Sequence, residues 1–425
     1  MLLLGCLLEE LVNKKISRKE FVTLAGSGVA AITLGSPLLA KSAGAETAQS
    51  SETPTTIQPQ ELPAVEPLGT LEPVAYFNGP MPTGVTVSQQ GRIFVNFPKW
   101  GDDVTFTVAE IRDGQPVAYP DEETNRTNPD HLAAALVSVQ SVVVDPADRL
   151  WILDTGSPLF QPTQYGGPKL VCVDLASNQV VKKILFPQDV ALPTTYLNDV
   201  RFDLRRGAEG TAFITDSAEQ GPNGIIVVDL ESGSSWRRLN DHPSTKALEL
   251  QEFLPVVEGR PFLEHQPDGT VKSGAGMGAD GIAISADGAR LYYCPIGSRR
   301  LYSVATDALA DRSLDDDEVA ETVTDEGDKG GGADGLESDA AGHIYATNYE
   351  HHALLRRRPD GEWETVAYDP RLMWPDTLSV AADGYLSVTA NQLHRQARYP
   401  RGQDLRRKPY TLFRIRIDAQ PVLLR

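Results

Sequence analysis

The sequence has few cysteines and lacks the motifs of established enzyme classes. Only three cysteines occur in 425 residues. Cys172 and Cys294 stand in apolar, strand-like runs of different segments, so we interpret them as buried thiols, and nothing in the sequence supports a disulfide between them. No G-x-S-x-G, H-E-x-x-H or Walker A motif is found, and the seven histidines are scattered. No motif therefore assigns the chain to an enzyme class.

Basic residues are also few in comparison with acidic residues. There are 39 Lys and Arg residues against 58 Asp and Glu, which gives a net charge of -19. A chain with this charge would repel phosphates, so we expect no nucleic-acid partner. The charge favours cationic small molecules or metal ions as ligands, although most of it serves solubility.

The first 70 residues are predicted to lie outside the folded domain. Residues 1–45 have the features of a secretory signal: Arg18 and Lys19 in a charged region, an apolar stretch at 21–40 and a small-residue cleavage site at 43–45. The segment around Arg18-Lys19 resembles a twin-arginine signal with Lys in the second Arg position. The alternative is an uncleaved anchor. Residues 46–70 are polar and Pro-rich, as in a disordered linker. We expect an exported, periplasmic or extracellular protein with no membrane association after cleavage.

One unit recurs through the rest of the chain. GADGIAISADGARLYYCP, residues 278–295, reads as two short apolar strands around a tight Asp287-Gly288 turn. About six copies, spaced by roughly 40 to 80 residues, indicate propeller blades. The other copies begin at Pro82, Gln140, Asn198, Gly332 and Pro375.

Further strands follow each copy, and the pattern predicts an all-β fold: a six-bladed β-propeller with four-stranded antiparallel blades over residues 71–425. The first strand, Leu71–Phe77, and the last, Tyr410–Ile417, are predicted to share a blade and close the ring. An extra hairpin is predicted at Asp268-Gly269. The charged stretches 314–318 and 324–332 are interpreted as solvated loops.

The repeat also locates a candidate site. The residues that begin the first strand of each copy and those that end the second should meet at one mouth of the central channel. Several carboxylates converging there require a cation, either Ca²⁺ or a similar ion bound by oxygen ligands, or a protonated amine. The residues at the starts are Thr83, Gln140, Asn198, Asp199, Asp280, Asp334 and Asp376; those at the ends are Phe97, Asp154, Asp216, Pro295, Asn348 and Asn391.

A purely structural interpretation competes with this one. An Asp at a strand start can cap a turn by accepting backbone N–H groups. Three other carboxylates, Asp148, Asp287 and Asp383, fall in the hairpin turns at the opposite end of the blades and are predicted to be structural.

Long segments of the chain resemble the major royal jelly protein and yellow family, in its bacterial branch. They include NDVRFDLRRGAEGTAFITDS, KGGGADGLESDAAGHIYATNYE and DPRLMWPDTLSVAADGYLSVTANQLHRQ. The resemblance covers about Leu71 to Ile417. It implies an exported six-bladed propeller and a small aromatic or amine ligand in the channel, since insect members are linked to dopachrome conversion and to binding of biogenic amines.

The hairpins also resemble lactonase propellers related to senescence marker protein, in which a Glu, two Asn and an Asp hold a divalent metal. Here Asp199, Asp280 and Asp334 would be the metal ligands, but no clear first-blade Glu is present. Three hypotheses therefore remain open.

The first is a yellow-like protein that binds or isomerises a cyclic, aromatic or amine compound. Asp199 and Asp280 would then be catalytic, and the ligand-binding set would be Asn198, Asp154, Asp216, Asp334, Asn348, Asp376 and Asn391. The second is a metal-dependent lactonase, and the third is a non-catalytic interaction platform. No cofactor beyond one divalent cation is expected, and the protein is expected to be a monomer.

Overall fold

The computed structural model describes residues 67–266 and 268–425. This region contains six four-stranded antiparallel sheets and two additional two-stranded hairpins. The predicted signal at 1–45 and all but the last four residues of the predicted linker lie outside the described residues. Within the described part of the chain, no helix is long and apolar enough to cross a membrane.

Each four-stranded sheet forms one blade, and in the first five blades the strands run from the channel outward in chain order. The first blade consists of β2 Val85–Val87, β3 Ile93–Asn96, β4 Val108–Arg112 and β5 Gln115–Ala118. The second consists of β6 Val139–Val144, β7 Arg149–Asp154, β8 Lys169–Asp174 and β9 Gln179–Leu185. The third consists of β10 Leu197–Asp203, β11 Thr211–Asp216, β12 Gly224–Asp229 and β13 Ser235–Arg238.

The fourth blade consists of β18 Ala279–Ile284, β19 Arg290–Pro295, β20 Arg300–Ala305 and β21 Thr324–Asp328. The fifth consists of β22 Leu336–Ser338, β23 Ile344–Asn348, β24 Ala353–Arg357 and β25 Trp363–Tyr368. The sixth is β26 Pro375–Val380, β27 Tyr385–Ala390, β28 Tyr410–Arg416 and, as its outer strand, β1 Leu71–Phe77.

The inner strands make a closed ring. β2 contacts β6, and contacts continue through β10, β18, β22 and β26 back to β2. The predicted six-bladed propeller is therefore confirmed. The predicted closure is confirmed too: β1 pairs antiparallel with β28, from Leu71 opposite Ile415 to Phe77 opposite Tyr410. This pairing covers the edge of β28 that would otherwise be open.

Alternation along each strand builds the core between neighbouring blades. In β11, Ile214 packs with residues of the second blade such as Trp151, whereas Phe213 packs on the opposite side with residues of the fourth blade such as Ile282. Successive side chains of a strand point to opposite faces, so one apolar strand serves two interfaces. This explains why these strands read as continuous apolar runs rather than as alternating ones.

The additional elements lie between blades or in loops that join strands of one blade. Two hairpins, β14 Val256–Val257 with β15 Arg260–Pro261 and β16 Leu263–His265 with β17 Val271–Ser273, precede the fourth blade. The second confirms the hairpin predicted at Asp268-Gly269. Three short helices are present in the described residues: α1 Glu122–Asn125, α2 Thr306–Ala310 and α3 Asp316–Ala320. Single 3-10 turns occur at Pro158–Phe160, Pro243–Thr245 and Leu393–Arg395.

The interpretation of the two charged stretches as loops was wrong for residues 316–320 and 324–328, whereas residues 329–332 do form a loop. Residues 316–320 form α3, because Asp315 and Glu318 make a capping box in which each side chain accepts from the other residue's backbone N–H. Residues 324–328 form β21, the outer strand of the fourth blade, where Arg300 and Asp328 are paired residues.

In the described part of the chain, Cys172 and Cys294 are buried free thiols, as expected.

The C-terminal segment crosses the channel at the end where the hairpin turns lie. The Leu204 N–H donates to the Leu424 carbonyl at 2.9 Å, and Pro421 forms a bridge with Asp339. Residues 421–423, together with the last residues of the inner strands, line a small cavity of about 80 Å³. The segment therefore joins the third and fifth blades across this end of the channel.

We expect Leu424→Ala to lower the free energy of unfolding by about 2–4 kcal/mol, because Leu424 is 4% exposed and packs into the core between the third and fourth blades. Urea denaturation followed by circular dichroism measures this. The neighbouring Leu423 is 45% exposed, so Leu423→Ala should change stability by less than about 0.5 kcal/mol. Equal losses in both variants would contradict the proposed packing of the segment.

Candidate functional site

Carboxylates gather where the inner strands begin. Asp280 and Asp376 are the second residues of β18 and β26, Asp199 is the third residue of β10, and Asp334 lies two residues before β22. The pairing of β10, β18 and β26 with the next strand shifts at this point. A β-bulge re-aims side chains at the rim of a sheet, and here it accompanies the polar residues at the channel.

Three of these predicted residues are hydrogen-bonded to one another, and a fourth lies beside them. The Asn198 amide donates to the Asp280 carboxylate, and the carboxyl groups of Asp280 and Asp334 hydrogen-bond to each other. Trp374 Nε1 donates to Asp334 Oδ2 at 2.6 Å. Asp376 lies beside them and influences the ionisation of Asp280. We call Asp280, Asp334 and Asp376 the acidic cluster.

Burial raises the pKa of every carboxyl group in the acidic cluster. The three side chains belong to residues that are 3–7% exposed. The pKa of Asp280 lies well above its usual range because of burial and the adjacent Asp334, and that of Asp376 does so because of burial and the same neighbour. Burial raises the pKa of Asp334 to about 6. The cluster therefore holds protons near neutral pH unless a cation replaces them.

Asp376 has its own local partners. Asn391 Nδ2 donates to Asp376 Oδ2 at 2.6 Å, and the Thr377 hydroxyl donates to Oδ1 at 3.1 Å. Asn391 Oδ1 in turn accepts the Leu393 N–H. Asn391 thus positions the carboxylate, and the structure brings this predicted pair together.

Asp199 lies in a second polar layer and is already paired. Its Oδ2 accepts from Arg201 Nη1 at 2.9 Å, and its Oδ1 accepts from the Ser141 hydroxyl at 2.6 Å. Arg201 also donates to the Leu336 carbonyl at 2.7 Å and lies 3.6 Å from Glu337. Both Arg201 and Asp199 are less than 10% exposed, so this ion pair is part of the channel wall.

Asp154 and Asp216 are held by their own blades. Asp154 accepts the Val137 and Ser138 N–H groups at 2.7 and 2.9 Å, and lies 2.8 Å from Lys169 Nζ. Asp216 accepts the Tyr196 N–H at 2.9 Å and lies 2.8 Å from Arg237. Both residues are completely buried. Their hydrogen bonds connect the end of one strand to the start of the neighbouring strand. This is a structural role.

The remaining predicted residues are dispersed. The Asn348 amide donates to the Gly330 carbonyl at 3.3 Å and its Oδ1 accepts the His351 N–H at 3.1 Å, so it shapes a loop. Phe97 packs in a hydrophobic core with Phe77. Gln140 accepts from the Tyr196 hydroxyl at 3.1 Å. Asp287 and Asp383 each accept the backbone N–H two residues on, as structural turn residues do, whereas Asp148 accepts the Gln89 N–H of the first blade.

Aromatic side chains from distant loops adjoin the acidic cluster. Trp374, which bonds Asp334, stacks on Tyr349 with ring centroids 4.3 Å apart, and Phe262 lies 5.0 Å from Trp374 and 4.5 Å from Tyr399. A second group forms beside Gln140, where Phe160 packs on Trp100 and Tyr196 at 5.4 and 4.9 Å.

Arg398 connects the two aromatic groups. Its guanidinium lies over Phe160 at 5.4 Å and over Tyr399 at 5.8 Å. It is held by Glu219 at 2.5 Å and Glu264 at 2.8 Å. The acidic end of the channel is therefore bordered by a layer of aromatic rings.

Arg201 and the aromatic residues were missed by sequence reasoning. Arg201 stands two residues after Asp199 in β10, and the twofold alternation of a strand could have placed both on one face. No local signal identifies Phe262 or Tyr399, because they reach the site from a hairpin and a loop far from the repeats.

The predicted metal ligands Asp199, Asp280 and Asp334 do not form a metal site in the described part of the chain. Among residues 67–266 and 268–425, no group of three or more His, Cys, Asp and Glu side chains is placed to hold a metal ion. Asp199 is engaged by Arg201, while Asp280 and Asp334 bond to each other. The carboxylates would have to rearrange to coordinate a divalent cation.

Known proteins resemble this chain in sequence and in fold. Major royal jelly protein 7 of Apis mellifera is 32% identical over 178 residues, which are 41% of this chain and 36% of that protein. Protein yellow of Drosophila erecta is 26% identical over 246 residues, 55% of this chain and 42% of that protein. The matches thus span less than half the length of these curated relatives.

In structure, the chain is similar to a luciferin-regenerating enzyme, with a TM-score of 0.50 and 10% identity over 83% of this chain and 97% of that one. Lactonase-type propellers are also among the structural neighbours. The family model described as major royal jelly protein matches residues 137–417. The chain therefore belongs to the major royal jelly protein family.

Proposed function

We propose that the protein binds a small aromatic or amine compound at the acidic end of its channel. The observation that supports this most directly is the acidic cluster, three buried carboxyl groups with raised pKa values. Burying such groups without a cation costs free energy. A protonated amine would relieve this cost, and the neighbouring rings would accommodate an aromatic body.

The same cluster is suited to isomerisation, which we propose as its catalytic form. Asp280 and Asp334 share a hydrogen bond, and the pKa of Asp334 is about 6. A carboxylate could remove a proton from one position of a cyclic aromatic compound while a protonated carboxyl delivers one to another. The two transfers balance, so no oxidant or co-reactant is needed. This would be a tautomerisation of the kind that the family resemblance implies for dopachrome.

Export is part of the proposal. It is supported by the signal-like features of residues 1–45. We propose that the propeller domain acts as a monomer and binds its ligand outside the cytoplasm.

We expect Asp280→Asn to weaken the binding of a catechol or indole amine at least tenfold, because it removes a carboxylate from the centre of the cluster. Calorimetric titration and quenching of tryptophan fluorescence would both report the loss, since Trp374 bonds Asp334. Turnover of a dopachrome-like compound, if the wild type shows it, should fall with the same variant.

The matched control is Asp287→Asn, which makes the same change at an exposed hairpin turn at the opposite end of the blade. It should bind like the wild type. Failure of the wild type to bind any catechol or indole amine would overturn the proposal. A stoichiometric divalent ion that is retained after desalting and lost in Asp280→Asn would instead assign the cluster to a metal-dependent hydrolase.

A further inference from the structure

A wide groove lies on the surface beyond the aromatic layer. Its walls come from the hairpin segment 257–265 and from residues 394–407, and its volume is about 940 Å³. This is within the range of sites for small organic molecules. Phe262 and Tyr399 line it and pack on each other, with their ring centroids 4.5 Å apart.

The groove carries positive charge although the whole chain has a net charge of -19. Five arginines line it, against two carboxylates, Glu258 and Asp404. Both carboxylates are already engaged. Glu258 accepts from Arg395 Nε at 2.9 Å, and Asp404 lies 2.6 Å from Arg406.

The other three arginines of the groove are Arg260, Arg401 and Arg407. All three are exposed, and none makes an ion pair with a carboxylate within residues 67–266 and 268–425. Arg401 donates instead to His265 at 3.3 Å. Guanidinium groups that line one groove without counter-ions repel each other and attract anions, and their planar forks match carboxylate and phosphate oxygens. We call these three residues the arginine triad.

A second, independent feature of the groove is a histidine with an unused polar atom. His394 lines the groove, is 9% exposed and bonds Glu258 through Nε2 at 2.9 Å. Its Nδ1 is buried and has no hydrogen-bond partner among the described residues. Burial lowers the pKa of His394 to about 4, so the ring is neutral, Nε2 donates to Glu258 and Nδ1 is an acceptor. Buried polar atoms are rarely left without a partner, and the partner of this one would be a water or a ligand hydroxyl rather than the anion itself.

We propose that this groove is a second binding site and that it takes a small organic anion. The carboxylate or phosphate of the ligand binds the arginine triad, and an apolar body packs beside Phe262 and Tyr399. The groove and the acidic cluster have opposite charges and would select opposite ligands, although Phe262 and Tyr399 adjoin both. The inference does not depend on the proposed amine binding.

Phenyl phosphate combines a planar apolar body with a dianion, so it is a suitable probe. In a low-salt buffer, we expect saturable binding of phenyl phosphate to the intact protein by calorimetry, and weaker binding of inorganic phosphate. Benzoate tests whether a carboxylate serves as well. The affinity should fall as salt rises, because the contact is between exposed charges.

The triple variant Arg260→Ala, Arg401→Ala and Arg407→Ala should bind phenyl phosphate at least tenfold more weakly. The control is a second triple variant, Arg112→Ala, Arg358→Ala and Arg416→Ala, which changes the net charge equally. Those three arginines are exposed and pair with carboxylates away from the groove. The pairs of Arg358 and Arg416 are at the surface, and Glu110, the partner of Arg112, keeps Arg92 as a second partner, so each replacement should cost little stability.

Several outcomes decide the question. Retained affinity in the control triple and in Asp280→Asn would support a separate anion site. Absence of saturable binding at low salt, or equal loss in both triples, would overturn the inference, since only the overall charge would then matter. Thermal melting of each variant shows whether it is folded. Amine binding is measured on the same variants, so that a failure of the proposed anion site can be distinguished from a failure of the proposed amine site.

Discussion

At pH 7.5, Asp334→Asn is expected to be more stable than the wild type by about 1–3 kcal/mol. Burial raises the pKa of Asp334 from its usual value near 3.8 to about 6, and each unit of such a shift corresponds to about 1.4 kcal/mol. An asparagine removes the buried charge, while its carbonyl oxygen can still accept the Trp374 N–H. The free energy of unfolding from urea titration measures the gain.

The gain should depend on pH in a defined direction. Because the folded protein binds the Asp334 proton more tightly than the unfolded chain does, the wild type loses stability as pH rises from about 4 to above 6. The variant lacks this loss. The two proteins should therefore be equally stable at pH 4 and differ most above pH 6.5. A difference that is constant with pH would contradict the assignment to Asp334.

Asp216→Asn is the informative comparison. Asp216 is completely buried, but it lies 2.8 Å from Arg237 and accepts the Tyr196 N–H. Burial raises the pKa of Asp216 as well, against the effect of Arg237. Its replacement nevertheless leaves a largely buried arginine without its counter-charge, so stability should fall. The same chemical change thus raises stability in the acidic cluster and lowers it in the blade. A group that costs stability where it stands is more readily explained by function than by folding.

This contrast shows what could be read from the sequence. The repeat predicted the six blades, the shared last blade and the Asp residues at the inner strand starts, because hairpin turns and apolar strands have local signatures. Asp154 and Asp216 end second strands of the repeat and Asp280 begins a first strand, yet the sequence predicts one site for all three. Only the fold shows that Lys169 and Arg237 reach the first two, whereas Asp280 faces another carboxyl group.

The parts of the site that were missed depend on long-range placement. Phe262 and Tyr399 come from a hairpin and a loop between or after the repeats, and their position is decided by packing against Trp374 and against each other. The shifts in strand pairing beside Asn198, Asp280 and Asp376 also leave no sequence signature. Such features arise from the ring closing on itself and have no local pattern.

Arg201→Met is expected to lower the free energy of unfolding by about 3–5 kcal/mol. The substitution keeps much of the side-chain volume but leaves Asp199 without its cation, and truncating one partner of a buried pair has this order of cost. Glu337 also loses its nearest cation, 3.6 Å away. Denaturation by urea at pH 7.5 provides the measurement, and Arg358→Met, at an exposed pair with Asp360, should cost less than about 1 kcal/mol.

The double variant Asp199→Asn with Arg201→Met separates folding from binding. Removing both charges should recover part of the stability lost in Arg201→Met, because no unpaired ion is then buried, and additive losses in the cycle would refute a direct coupling. If Asp199 serves only as the partner of Arg201, the double variant should still bind amines, since Asp280, Asp334 and Asp376 are unchanged. Loss of binding in this stable background would instead make Asp199 a ligand-contacting residue. The polar wall of the channel would thus consist of two layers. The Asp199–Arg201 pair stabilises the ring, and the acidic cluster binds the ligand.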